Sequence, residues 1–160
     1  MAGRYFEEFA VGQVFRHAIR RTLTEADNVL FSALTHNPAP LHIDREYMRT
    51  QSEFKEPLMN SFFTLGLIVG ISIHETTLGT TVANLGMEEV RFPAPLFAGD
   101  TVHVETEVIA LRPSRSRPQN GILTLEHRGF NQRDELVAVC RRNVLMLRRP
   151  RPEGGASNAP

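Results

Sequence analysis

One run of the sequence, from Leu58 to Ile73, is apolar on every side of a helix, and this run most constrains the fold. Pro57 immediately precedes it, at a place where the first turn of a helix tolerates proline. A membrane span needs about 20 apolar residues. Because Asn60, Ser61 and Thr64 interrupt this run, it predicts a buried core helix instead. A helix without a polar face has to be covered by other structure.

Two glycines in the same run, Gly66 and Gly70, stand four residues apart and therefore share one side of the helix. Glycine leaves room for another backbone to approach closely. We expect a strand of the covering sheet to pack against this side.

The sequence after the helix, residues 80–148, has the pattern of β-strands. Runs at 101–109, 121–130 and 136–146 alternate apolar and polar residues with a period of two. Turn segments separate these runs, and strands joined in this way pair antiparallel. The chain therefore predicts an α+β fold in which a long central helix is wrapped by an antiparallel sheet.

Smaller elements are predicted before the central helix. Residues 13–22 alternate like a strand, and Thr24 with Asp27 resembles a capping box at the start of a helix that Pro38 ends. We expect one domain over residues 1–148 and a disordered C-terminal tail over residues 149–160, which are rich in proline, glycine and arginine.

The composition narrows the classes of partner and the compartment. Lys plus Arg and Asp plus Glu number 18 each, so charge gives no case for a nucleic-acid partner. Cys140 is the single cysteine, which excludes an internal disulfide and fits a reducing cytoplasm. Its alternating flanks predict an inert core thiol. The N-terminal residues lack a long apolar leader, so we expect a cytoplasmic protein without a membrane partner.

The segment of residues 35–47 gathers three polar side chains, those of Asn37, His42 and Asp44. Two prolines between them disfavour a helix. A proline-containing, non-helical segment that carries such groups between two helices predicts an active-site loop. Asp44 either orients the imidazole or caps the helix that follows it.

A metal site in this segment would have to use His36, His42 and Asp44. Their spacing matches no motif that places the ligands on one face. We therefore expect no metal and no other cofactor.

Three stretches carry a resemblance to a known family: residues 37–44 (Asn-Pro-Ala-Pro-Leu-His-Ile-Asp), residues 56–64 and residues 90–102. The chain resembles the MaoC-like dehydratases, which include the (R)-specific enoyl-CoA hydratases. The resemblance implies a hotdog fold and hydration of an α,β-unsaturated acyl-CoA. Residues 31–37 and 78–86 are similar to a subgroup that acts on branched C4-dicarboxylate thioesters such as mesaconyl-CoA or itaconyl-CoA.

The same resemblance implies roles for residues of the active site. His42 matches the family histidine and is the candidate base, because neutral imidazole is basic near pH 7. Asn37 stands where the family has an aspartate, and an amide can orient water or substrate but cannot take a proton. The backbone N–H of Ser61, at the start of the central helix, is the candidate oxyanion donor, and Asn60 beside it either caps the helix or contacts substrate.

A CoA substrate also brings phosphates, which arginine pairs with in a bidentate manner. The candidate arginines for the phosphates are Arg91, Arg112, Arg115 and Arg117. The run from 112 to 117 is equally consistent with a solvated hairpin tip. Arg45 is the candidate for a second substrate carboxylate.

Two alternatives to hydration remain open: an acyl-CoA thioesterase, since hotdog proteins often cleave acyl-CoA, and a non-catalytic acyl-CoA-binding protein, since the family aspartate is absent. A single hotdog unit leaves an edge strand free to pair with another chain. The resemblance therefore implies a symmetric homodimer, with a higher assembly of dimers left open.

Overall fold

The computed structural model describes residues 3–150. Within these residues the α-helices, which precede the four long strands, are α1 (Glu25–Leu34), α2 (Pro40–Ile43), α3 (Arg45–Gln51) and α4 (Ser61–Ile73). The strands are β1 (Val14–Arg16), β2 (Arg21–Thr22), β3 (Thr81–Arg91), β4 (Thr101–Pro113), β5 (Asn120–Phe130) and β6 (Leu136–Leu147). A short 3-10 turn spans Phe6–Glu8.

The strands form one antiparallel sheet in the order β1-β4-β5-β6-β3, with β2 paired to β4. Helix α4 packs on one face of the sheet, against β4, β5 and β6. The expected α+β architecture, with the helix on one face, is therefore confirmed. Strand β3 lies at one edge of the sheet.

Ile68 of α4 is fully buried and lies directly over Gly129 of β5. A Cβ atom at residue 129 would come 2.5 Å from Cγ2 of Ile68, so glycine is what lets helix and sheet approach this closely. Burying one such side chain contributes about 1.5–3 kcal/mol to folding. Leu23, Val102, Val104 and Ala138 continue the same core.

The expectation that α4 is covered on all sides is wrong for one subunit. The Phe62 side chain is 74% exposed, and a Cβ atom at Gly66 or Gly70 would meet no other atom within 4 Å. The strand expected against these glycines is absent from residues 3–150, because the sheet covers α4 from one side only. The helix also begins at Ser61, since Asn60 caps it there.

Local signals placed the earlier elements well. The predicted capping box is confirmed, because Thr24 Oγ1 accepts from the Asp27 N–H at 3.3 Å and an Asp27 carboxylate oxygen accepts from the Thr24 N–H at 2.8 Å. The strand expected over residues 13–22 is divided into β1 and β2. Of the expected tail, Arg149 pairs with Glu8 at 2.8 Å, and residues 151–160 lie outside the described residues.

The sheet face opposite α4 is covered by ion pairs. Arg128 lies within salt-bridge distance of Glu105, Glu107 and Glu126, and Arg141 joins Glu126 to Glu89. Arg128 and Arg141 stand at alternate positions to the core residues of their strands, which places both guanidinium groups on the face opposite α4.

Candidate active site

His42 lies in the one-turn helix α2, which corrects the prediction of a wholly non-helical loop. Pro40 opens this helix, because its fixed φ suits a first helical residue and its missing N–H is not needed there. The Nδ1 atom of His42 is 2.8 Å from the carbonyl oxygen of Leu58. A carbonyl can only accept, so Nδ1 carries the proton and the lone pair of Nε2 is free to act as a base.

Asn28 of α1 connects the segment of residues 35–47, here called the His42 segment, to the start of α4. Sequence reasoning did not single it out. Its Nδ2 amide donates to the carbonyls of His42 at 2.7 Å and Leu58 at 2.9 Å, and its Oδ1 accepts from the Asn60 N–H at 2.9 Å. The side chain is only 2% exposed. An amide with both donors and its acceptor engaged holds these segments in one geometry. The available signal was a polar residue early in an amphipathic helix.

The start of α4 presents an unused backbone donor. Asn60 Oδ1 caps the helix by accepting from the Phe62 N–H at 3.0 Å, which confirms the capping alternative for Asn60. Between residues 3 and 150, no acceptor lies within hydrogen-bonding distance of the Ser61 N–H. Ser61 lines a cavity of about 290 Å³ together with Phe92 and Pro93. An N–H at the positive end of a helix, in a residue that lines a cavity, can stabilise a developing oxyanion.

Asn37 offers a donor and no base. Its Oδ1 accepts from the Ala39 N–H at 3.1 Å, while its Nδ2 has no acceptor in the part of the chain that the structure describes. The side chain lines a second cavity of about 420 Å³ with Ser32, whose buried hydroxyl has no hydrogen-bond partner. Asn37 and Ser61 thus line different cavities in one subunit, with the His42 segment held to the start of α4.

Arg45 is already paired. Its guanidinium donates to both carboxylate oxygens of Glu25, at 2.9 and 2.8 Å, beside a cavity of about 310 Å³ that Asn28 also lines. These hydrogen bonds lower the pKa of Glu25 and raise that of Arg45. A substrate carboxylate would have to displace Glu25 to use this arginine.

Three of the other candidate arginines lie away from the His42 segment of the same subunit: Arg112 and Arg115 line an open groove of about 840 Å³ at the β4–β5 turn, where Arg117 is also exposed. Arg91 is exposed at the end of β3, immediately before Phe92 and Pro93 of the Ser61 cavity. The start of α4 is fixed at the other end of β4, because the Met59 N–H donates to Leu96 O at 2.8 Å. The length of β4, roughly 40 Å, separates the two regions within one subunit.

Asp44 caps α3, because its Oδ1 accepts from the Tyr47 N–H at 2.8 Å, as the capping alternative predicted. No three His, Cys, Asp or Glu side chains within residues 3–150 are arranged to hold a metal ion. None of the helices in that range is long and apolar enough to cross a membrane.

Comparison with known proteins places these features in context. The family model of the MaoC like domain matches residues 7–129. The chain is 32% identical to a mesaconyl-CoA hydratase of Cereibacter sphaeroides over 92% of its own length and 42% of that protein. The chain thus spans less than half the length of this curated relative.

Solved structures give the same picture. A MaoC-like dehydratase from Rhodospirillum rubrum is 32% identical, with a TM-score of 0.82 over 93% of this chain and 100% of that one. A conserved hypothetical protein from Mycobacterium tuberculosis with a double hotdog fold is 26% identical, with a TM-score of 0.83 over 96% of this chain and 47% of that one. The expected hotdog fold is confirmed.

Proposed function

The chain belongs to the family of MaoC-like domains, and on that premise we propose that it reversibly adds water to the double bond of an α,β-unsaturated acyl-CoA thioester. One observation carries the proposal: the hydrogen bond from His42 Nδ1 to Leu58 O, which leaves Nε2 as a free base on a segment fixed to the start of α4. We place the reaction in the cytoplasm, since the free, buried Cys140 fits a reducing compartment.

The proposed mechanism uses these groups in sequence. His42 Nε2 takes a proton from water as the oxygen attacks Cβ, and the electron pair of the double bond moves towards the thioester oxygen. The Ser61 N–H donates to that oxygen as it becomes enolate-like, a contribution of about 2.7–4 kcal/mol in comparable sites. The imidazolium of His42 then returns the proton to Cα, so the two steps together add one water molecule.

For the substrate we propose a short branched dicarboxylyl-CoA, such as mesaconyl-CoA or itaconyl-CoA. The relative named mesaconyl-CoA hydratase supports this class. The free Nδ2 donor of Asn37 supports it too, because an amide can donate to a second carboxylate that an aspartate would repel. The lack of a carboxylate at position 37 disfavours the thioesterase alternative, since such an enzyme usually uses a carboxylate to activate water for attack at the thioester carbonyl.

A second copy of the chain is the proposed partner, paired through the β3 edge. Four apolar side chains are exposed on this strand, those of Val82, Leu85, Met87 and Val90. Antiparallel pairing of two β3 strands with Gly86 on the two-fold axis places Leu85 opposite Met87 of the second copy, and Val82 opposite Val90 of the second copy. This register sets the four in cross-strand pairs and removes an unpaired edge.

The same register gives the open groove at the β4–β5 turn, which Arg112 and Arg115 line, a role in the second copy's site. This groove is called the arginine groove. Thr81 pairs with Met146, Met146 with Gly121 and Gly121 with Pro113, so one row of residues leads from the edge to the groove over roughly 14 Å. Pairing brings the end of the second copy's β3, which runs on to the Ser61 cavity, to this edge. We propose that Arg112, Arg115 and Arg117 bind the CoA phosphates of the second copy's substrate. The second copy contributes its own Arg91 to the same phosphate site.

A spectrophotometric assay tests the function. We expect mesaconyl-CoA or itaconyl-CoA to lose the absorbance of its conjugated thioester without release of free thiol, and His42→Ala to lower kcat at least about 100-fold. His36→Asn is the matched control on the same segment, since asparagine tolerates the left-handed backbone of residue 36. Thiol release that parallels the absorbance loss, or substrate binding without either signal, would refute the proposal.

A further inference from the structure

A second polar cluster lies on the helix-covered face of the sheet, beyond the end of α4. Glu75 Oε2 is 2.7 Å from His17 Nδ1, and His17 Nε2 is 2.9 Å from Thr106 Oγ1. Thr106 Oγ1 is in turn 3.0 Å from His127 Nδ1. The His17, Thr106 and His127 side chains are buried, whereas Glu75 is partly exposed. A continuous chain of hydrogen bonds thus runs from a surface carboxylate into the core.

The inner end of this chain is unsatisfied. His127 Nε2 and Arg142 Nη1 are both buried, and neither has a hydrogen-bond partner within residues 3–150. Arg142 is 5% exposed, and its one side-chain partner in that range is the amide oxygen of Asn84, 3.4 Å from Nε. Leaving a buried guanidinium without a counter-charge is expensive. Arg141, the next residue, faces the other side of the sheet and has two carboxylate partners.

Neighbouring groups do not supply the missing negative charge. Cys140 stands beside His127 in the strand register, but burial raises its pKa to about 11, so it is a neutral thiol. Burial, and then the positive charge of Arg142, lower the pKa of His127 to about 3, so this imidazole is neutral. Glu75 is at the opposite end of the chain.

The strand register brings the two unpartnered groups into one part of the core. His127 pairs with Cys140 and Leu125 pairs with Arg142, so His127 and Arg142 are diagonal neighbours on one face of β5 and β6. They form one buried, positively charged end of the chain of hydrogen bonds. A small anion matches an unpaired guanidinium better than a water molecule does, because water leaves the charge uncompensated.

We infer that the His127–Arg142 end of this chain binds a small monovalent anion such as chloride. In the bound state Thr106 donates to His127 Nδ1, so His127 Nε2 carries a proton and donates to the anion together with Arg142 Nη1. This site is separate from the His42 segment and does not depend on the proposed reaction.

Thermal unfolding of the full chain tests the site, with chloride or bromide compared with gluconate at equal ionic strength. We expect the halides to raise the unfolding midpoint with increasing concentration, and Arg142→Met to abolish this response. Arg141→Met is the matched control, since it alters the neighbouring arginine on the other face, and it should keep the halide response. If Arg142→Met does not fold, bromide-soaked crystals of the unaltered protein are the test.

Crystals soaked in bromide give a direct reading. We expect an anomalous peak within hydrogen-bonding distance of Arg142 Nη1 and His127 Nε2. An unfolding midpoint that is the same in chloride and gluconate would overturn the inference. So would a bromide-free map with an ordered water, or a carboxylate of a second copy, at Arg142.

Discussion

At the scale of single residues, His42 can transfer protons whereas Asn37 can only form hydrogen bonds. His42 has a defined tautomer, because a backbone carbonyl fixes the proton on Nδ1. The Oδ1 atom of Asn37 already accepts from the Ala39 N–H, so the side chain has only its Nδ2 donors left for substrate. One imidazole must therefore serve as both base and acid, while the amide is suited to holding an anionic group of the substrate.

Substitution of Asn37 by aspartate separates these roles. Asn37→Asp places a carboxylate where the family has its aspartate, and this group can share the acid and base roles with His42. We therefore expect activity towards crotonyl-CoA, whose acyl group carries no free carboxylate, to stay the same or rise. Activity towards mesaconyl-CoA should fall about tenfold or more, because two carboxylates then repel each other. Measurement of kcat/KM for both substrates gives the ratio. A variant that improves on both alike would show that residue 37 does not contact the distal carboxylate.

Asn28 shows where reasoning from sequence ends at this scale. The sequence drew attention to His42 and Ser61 through local patterns and a family resemblance. The three partners of Asn28 come from separate segments of the chain, so no local spacing encodes them. Asn28 becomes visible only once folding places α1 against both the His42 segment and the start of α4.

At the scale of elements, signals contained within a few residues were the reliable ones. The Thr24–Asp27 box, the period-two strands and the Asp44 cap all depend on neighbours in sequence, and each is present. Helix α2 was missed because the prolines were interpreted only as helix breakers, whereas Pro40 is a good first residue. The open side of α4 was missed because apolar composition shows that a surface is to be covered but does not show which chain covers it.

Two caps allow an element to be tested against a matched control. Asn60 caps α4 and Asp44 caps α3, each by accepting from one backbone N–H. Asn60→Ala and Asp44→Ala should each cost about 1 kcal/mol of the free energy of unfolding in urea. Only Asn60→Ala should lower kcat, by about tenfold, because it loosens the turn that presents the Ser61 N–H. Equal losses of kcat in both variants would argue against a special role for the start of α4.

At the scale of the whole molecule, two surfaces differ in what they can accept. The sheet face opposite α4 carries several ion pairs and can therefore remain exposed to solvent. The β3 edge and the glycine side of α4 remain apolar and open in one subunit. The candidate site has the same asymmetry, since a single subunit holds His42 and Ser61 at one end of the sheet and the arginine groove at the other. Both observations favour completion by a second copy at the edge.

Cysteine cross-linking tests the register of that pairing. With Gly86 on the two-fold axis, residue 85 of each copy faces residue 87 of the other, at a Cα separation of about 4.5–5.5 Å that a disulfide spans. We expect Leu85→Cys/Met87→Cys to form covalent dimers under mild oxidation, seen on non-reducing gels, while each single variant stays monomeric there. Leu85→Cys/Glu88→Cys is the control for a register shifted along the strand. The native thiol should not interfere, because Cys140 is buried. Efficient cross-linking of the control, or none in either pair, would remove both the register and the role of the arginine groove in the second copy's site.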